Sequence, residues 1–142
     1  MRISDVLRGK GADVVTITPT TSVRQLLDVL AEHNIGAAVV SADGATILGI
    51  VSERDVVRAL HRGTDVLDDP LSTIMTDQVH TCDPHDTVDE LMHLMTAQRI
   101  RHVPVLIGSR LAGIVSIGDV VKTRIGELEF EREQLADYIN RS

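Results

Sequence analysis

Two short motifs set a hydroxyl and a carboxylate at the same spacing. Ser52 and Asp55 stand in the run GIVSERD, and Ser116 and Asp119 in GIVSIGD. Each pair follows an apolar run of strand type and opens a stretch of helical pattern. A serine at a helix start satisfies free amides, and an acid in the first turn complements the helix dipole. That structural role would account for a single copy. Two features point to a further use. The pair recurs at the same junction, and it uses Asp where the other capping pairs, Ser22 with Gln25 and Thr87 with Glu90, use side chains long enough to reach back to the cap amide. A carboxylate fixed at a helix start can accept hydrogen bonds from both hydroxyls of a ribose, and the amides beside it favour a phosphate.

Other groupings carry less. His80, Cys82 and His85 are close in sequence, but H-x-C-x-x-H runs across a strand end and a turn at Pro84, with no second ligand pair, so no metal is expected. Cys82 falls on a strand expected to be buried, where a thiol is inert. Ser52 and Ser116 are not in G-x-S-x-G elbows, and no base or oxyanion hole accompanies them, so no catalytic residue is assigned. The run RGKG is too short to cradle a phosphate by itself, which leaves Lys10 a supporting contact at most.

The elements that position these groups come as an internal repeat. VVTITPTTSVRQLLDVL from Val14 matches VHTCDPHDTVDELMHLM from Val79, 65 residues on, and LGIVSERDVV from Leu48 matches AGIVSIGDVV from Ala112 at an offset of 64. Each copy reads as a strand stopped by a proline (Val14–Ile17 and Val79–Cys82), then an amphipathic helix. Val23, Leu26, Leu27 and Leu30 form the apolar face of one, and Val88, Leu91, Met92 and Met95 that of the other. A hairpin follows, turning at Asp43-Gly44 or at Gly108-Ser109, and a last helix starts at Ser52 or Ser116. Short helical pieces are expected before each copy, near Ser4 to Leu7 and Leu71 to Met75. The polar linker from His61 to Pro70 reads as a surface connection. Strands apolar on both faces need cover on both sides, and one copy alone buries little surface, so the two should pack together through their sheets about a pseudo-twofold axis.

This order of Thr-x-x-Pro, amphipathic helix, apolar hairpin and Gly-Ile-Val-Ser-x-x-Asp, present twice, resembles a tandem pair of CBS domains, the regulatory repeat of the cystathionine β-synthase type. The resemblance covers the chain from about Ser4 to Arg124 and is closest to small stand-alone bacterial CBS-pair proteins. It implies an α+β fold of two β-α-β-β-α repeats, over 8–68 and 75–125, with a C-terminal helix over 126–142. It also implies two clefts for adenosine-containing ligands: AMP first, then ADP, ATP, NAD(H) or S-adenosylmethionine. In one cleft Ser116 and Asp119 would hold the ribose. Val14, Val15, Thr16, Gly36 and Ala37 would lie along the base, with Arg101 and His102 facing the phosphates. In the other, Ser52 and Asp55 would hold the ribose, with Val79, His80 and Thr81 along the base, Ile100 lining the pocket and Arg54 reaching phosphate. The small Gly118, opposite Arg54 in the repeat, predicts that the Asp119 cleft takes the bulkier ligand. The implied role is a non-catalytic sensor acting on an unknown protein partner; the alternative is a structural dimerisation module with degenerate clefts.

Composition narrows the classes further. The chain of 142 residues holds 14 basic and 21 acidic residues, a formal net charge of −7, without a Lys/Arg cluster. That argues against a nucleic-acid partner, which needs a basic face. Phe130 and Tyr138 are the only aromatics, so a planar ligand bound before residue 126 must lie on aliphatic side chains. No apolar run approaches the ~20 residues of a membrane span, and no signal-type stretch opens the sequence, so the cytoplasm is the expected location. Residues 126–142 carry five acids and two arginines. Val121, Ile125, Leu128, Leu135 and Ile139 form a near-heptad stripe interrupted by Arg132, from which a homodimer contact is expected.

Overall fold

The structure, a computed structural model, describes residues 1–141; Ser142, the last residue of the expected C-terminal helix, lies outside them. The elements run α1 (Ile3–Lys10), β1 (Thr16–Ile17), α2 (Val23–His33), β2 (Ala37–Val40), β3 (Gly49–Ser52), α3 (Glu53–Leu60), two 3-10 turns (Thr64–Asp68 and Leu71–Thr73), α4 (Val88–Gln98), β4 (His102–Ile107), β5 (Arg110–Ser116) and α5 (Ile117–Arg141). β1 pairs in parallel with β2, and β2 pairs antiparallel with β3; β4 and β5 form an antiparallel ribbon. The chain is thus a mixed α+β fold in which the same unit appears twice, with a C-terminal helix.

The expected helix faces turn inward except at Leu27, which is exposed because the core under α2 takes only Val23, Leu26 and Leu30; Met92 of α4 is partly buried. Val23, Leu26 and Leu30 of α2 and Val88, Leu91 and Met95 of α4 enter the two cores, one against Val40 and Val51, the other against Val105 and Val115. Val39, on the opposite face of β2 from Ala38 and Val40, is also fully buried, so β2 is covered on both faces. The repeats meet there. The Leu111 amide donates to the Ala45 carbonyl at 2.8 Å, and the His102 ring lies 3.4 Å from where a Cβ at Gly36 would stand.

Each core is completed by a segment from the far side of the other repeat. Ile3 and Val6 of α1 belong to the second core, tied by Ile3 N–H to Asp86 O and Ser4 N–H to Pro84 O, both 2.9 Å. Leu71 belongs to the first, with its amide on Thr21 O at 2.8 Å, while Thr76 and Ile50 exchange both backbone bonds at 2.9 Å. This crossing explains the glycine of both Gly-Ile-Val runs. A Cβ on Gly49 would stand 2.8 Å from Met75 Sδ and 2.9 Å from Thr76 O; one on Gly113 would stand 2.8 Å from Leu7 Cδ2. At Gly49 the Thr76 carbonyl leaves no room for a Cβ, so only glycine lets the crossing segment lie so close; at Gly113 the neighbour is the Leu7 side chain alone.

Three expectations are corrected. The stretch Val79–Cys82 is not a strand but makes one parallel bridge, Cys82 to Val105. The reason is Pro104. In the first repeat Val39 N–H donates to Val15 O and Ser41 N–H to Ile17 O; in the second, Leu106 N–H still reaches Cys82 O at 2.9 Å, but Pro104, at the place of Val39, has no N–H for His80. The linker is more than a surface connection, because its 3-10 turn buries Val66 and the Val23 amide donates to Asp69 O at 3.0 Å. Finally, the Ser22/Gln25 capping box closes in both directions, whereas at Thr87 only the bond from the Glu90 amide to the hydroxyl is made, at 3.1 Å.

Candidate functional site

Both Ser-x-x-Asp pairs sit at a strand-to-helix junction, β3 into α3 and β5 into α5. The last helix of each repeat is tied to the entrance of its hairpin by one backbone bond, Glu53 N–H to Gly36 O at 3.0 Å and Ile117 N–H to Arg101 O at 2.8 Å. These bonds hold each carboxylate beside the start of the preceding strand of its hairpin, so each junction opens into a cleft.

The carboxylates are caps as well as candidate ligands. Ser52 N–H donates to Asp55 Oδ2 at 2.8 Å, and Ser116 N–H to Asp119 Oδ2 at 2.9 Å; each Asp amide donates in return to the serine hydroxyl. The distinction drawn from side-chain length therefore fails, because Asp reaches back to the cap amide as Gln25 does. Both bonds use Oδ2, and Oδ1 of each Asp takes no hydrogen bond from the described residues. Any grip on a diol falls to Oδ1.

The two clefts differ in what surrounds this geometry. The Asp55 cleft has a volume of about 540 Å³. Its aliphatic walls are Ile50, Val79 and Ile100, with Ser52 and His80 beside them, and Arg54, Arg58, Arg99 and Arg101 line it against only two acids, Glu53 and Asp55. In a chain of net −7 this concentration of positive charge favours a bound anion. Arg58 follows Arg54 by one helical turn, and Arg99 is the left-handed cap of α4 at φ 55°. The Arg54 Nη1 donates to the Arg99 carbonyl at 3.3 Å.

The Asp119 cleft is smaller, about 380 Å³, and is lined by Val14, Val15, Ile114, Ser116 and Asp119. Gly36, Ala37 and His102 form a wall common to both clefts. Here the carboxylate already has a cation: Lys10 Nζ lies 2.6 Å from Asp119 Oδ2 and 2.9 Å from the Ile114 carbonyl. Burial pushes the Asp119 carboxyl up, but the Lys10 hydrogen bond, the Ser116 amide and the Lys10 charge outweigh it and hold the group below its usual range. Burial also lowers the proton affinity of His102, against the opposing pull of Glu53, so its ring favours the neutral form.

The structure therefore moves several residues relative to the sequence expectation. Arg101 lines the Asp55 cleft, not the Asp119 cleft, because consecutive residues entering a strand point to opposite sides. Thr16 and Thr81 line neither cleft. The Asp119 cleft is not the roomier one: it is the smaller of the two, Lys10 lines it, and Gly118 does not. Cys82 is buried, its thiol pushed up to about 12 by burial and by Asp86 and Asp83. The residues that sequence reasoning missed are Arg58, Arg99 and Glu53, and the weight of Lys10. For Arg58 a signal existed in its spacing from Arg54; Lys10 meets Asp119 across 109 residues of chain, which no local pattern reveals.

Against this geometry, two regions of the chain, residues 3–62 and 71–126, match the family model of the CBS domain. The protein belongs to the CBS-domain family, as a tandem pair. A mitochondrial CBS domain-containing protein of Arabidopsis thaliana is 37% identical over 96% of this chain and 71% of its own length. Among solved structures, a CBS-domain containing protein of Agrobacterium tumefaciens is 48% identical with a TM-score of 0.85, covering 87% of this chain and 99% of that one. A CBS domain protein of Pyrobaculum aerophilum, solved in complex with AMP, is 30% identical with a TM-score of 0.73 over 84% of this chain and 89% of its own. No helix among the described residues is long and apolar enough to cross a membrane.

Proposed function

We propose that this protein is a non-catalytic sensor whose Asp55 cleft binds an adenosine-containing ligand, with AMP the first candidate, the other phosphate esters ADP, ATP and NAD(H) next, and S-adenosylmethionine, which carries no phosphate, as the alternative to test against them. The observation that carries the reading is the combination in one cleft of a capped carboxylate with an unengaged Oδ1, four arginines and an aliphatic wall. Asp55 Oδ1 accepts from the ribose hydroxyls. Arg54, Arg58, Arg99 and Arg101 neutralise phosphate, and Ile50, Val79 and Ile100 lie against the base. A cleft of about 540 Å³ is the size that small-molecule sites occupy. The AMP held by the relative from Pyrobaculum aerophilum supports the ligand class. In this reading Ser52 is a cap and not a nucleophile, its hydroxyl donating to Asp55 Oδ2 at 3.1 Å. Ligand binding then biases the shape that a regulated protein meets, to the extent that the two shapes differ in affinity for the ligand.

A thermal-shift screen with AMP, ADP, ATP, NAD, NADH and S-adenosylmethionine tests this. A ligand present at about 100 times its Kd stabilises the folded state by roughly 2.7 kcal/mol and raises the melting temperature by roughly 5–10 °C for a chain of this size. If none of the six moves the transition, the reading falls and the structural dimerisation module takes its place.

A further inference from the structure

From Leu128 to Arg141 every residue of α5 is exposed, so the outer half of the helix stands off the two cores. A helical segment of 14 residues alone is marginal in water. Its apolar residues are not scattered. Val121, Ile125, Leu128 and Leu135, with Arg132 between the last two and Ile139 beyond, follow alternating steps of four and three, the seam of a two-stranded coil. Val121, Ile125, Leu128 and Leu135 are 49–63% exposed, although a seam residue is normally buried.

The charges beside the seam decide what covers it. Arg124 and Glu131 precede seam positions on one flank, and Glu129 lies on the other. In a parallel, in-register pair, a residue on the first flank faces the residue five places further along the other helix. Arg124 then faces Glu129 of the partner subunit, and the twofold axis repeats the pair. Arg132, interrupting the seam, lies beside Glu131 of the partner subunit. An antiparallel pair centred on the same stripe would instead set Glu129 and Glu131 against their own copies. Arg124 uses Nη1 for Glu127 within its own helix at 2.9 Å, which leaves Nη2 and Nε as donors for a second carboxylate.

We infer that the outer part of α5 pairs with the α5 of a second copy as a parallel, in-register two-stranded coil, with Arg132 of each chain held by Glu131 of the other. This surface is independent of the ligand clefts. The test uses the full chain. Sedimentation should give a dimer, and Arg132→Leu, which completes the apolar seam, should tighten it at least tenfold. Glu129→Lys with Glu131→Lys should loosen it about tenfold. Leu128→Cys and Leu135→Cys should each cross-link to its own copy on mild oxidation, because only an in-register parallel pair brings both positions to the axis. The unsubstituted chain, whose Cys82 is buried, should not cross-link. A monomer at high concentration, a dimer indifferent to Arg132→Leu, or a dimer in which neither cysteine variant cross-links would overturn the inference.

Discussion

The two clefts are built by the same motif and left in different states. At Asp55 the carboxylate has only its serine partner and faces four arginines; at Asp119 its Oδ2 is also paired with Lys10 from α1. The difference arises from how the chain crosses. Because α1 packs on the second repeat, Lys10 is delivered to Asp119, whereas the segment that packs on the first repeat, around Leu71 to Thr76, delivers no cation to Asp55. One internal duplication thus yields one arginine-lined anion-binding cleft and one whose carboxylate is already charge-paired with a lysine through its cap oxygen. Equivalence of sequence motif is not equivalence of site, and the deciding residue can lie outside the motif altogether.

The largest test of this contrast removes the open carboxylate. Asp55→Asn keeps an acceptor for the Ser52 amide, so α3 stays capped, but it loses the charge that two ribose hydroxyls would meet. Charge-assisted hydrogen bonds are worth about 1.5–3 kcal/mol each, so AMP affinity at this cleft should fall about 100-fold or more in calorimetry. The matching change at the other cleft acts in the opposite direction. In an Asp55→Asn background, Lys10→Met should release Asp119 and strengthen binding of adenosine, which brings no phosphate, by about tenfold. Unchanged adenosine affinity would mean that the Lys10 pair does not close the cleft.

A third change asks whether the two repeats differ for the stated backbone reason. Val39→Pro copies Pro104 into the first repeat and deletes the Val39-to-Val15 bond without touching the pairing of β2 with β3. It should cost about 1–3 kcal/mol in denaturant unfolding and release the amide protection of β1. A variant as stable as the parent would show that the short second strand has another cause. The smallest effect concerns the shared wall. Because burial lowers the proton affinity of His102, the unfolded chain binds more protons than the folded one just below pH 6.5. Stability from this group is therefore present above pH 6.5 and lost as pH falls through the folded value. His102→Gln should lose less on acidification, with a melting-temperature difference on the order of 2 °C between pH 7.5 and 5.5. Parallel curves would remove His102 from the account.

Much of this architecture was legible in the residues. The buried faces of α2 and α4 are those that the helical spacing assigns, apart from the exposed Leu27, and the Ser-x-x-Asp pairs mark the junctions where both clefts open. The failures have physical causes. Val79–Cys82 looks like a strand by composition, but pairing depends on the partner's donor, and Pro104 lacks one. Arg101 and His102 are neighbours in sequence, yet alternation along the extended chain sends Arg101 to the Asp55 cleft and leaves His102 in the wall between the two. The Lys10–Asp119 pair and the exchange of α1 between repeats depend on long-range packing that periodicity does not encode. The length of Asp did not separate ligand from cap, because backbone geometry at a helix start brings even a short carboxylate to the amide.

The central claim is that the open carboxylate of Asp55 grips the ligand's sugar. Titration of AMP into the parent chain, Asp55→Asn and Asp119→Asn by calorimetry tests it most directly. The account predicts that the tighter binding event vanishes in Asp55→Asn and survives in Asp119→Asn. Tight AMP binding that persists in Asp55→Asn, or that is lost only in Asp119→Asn, would contradict it.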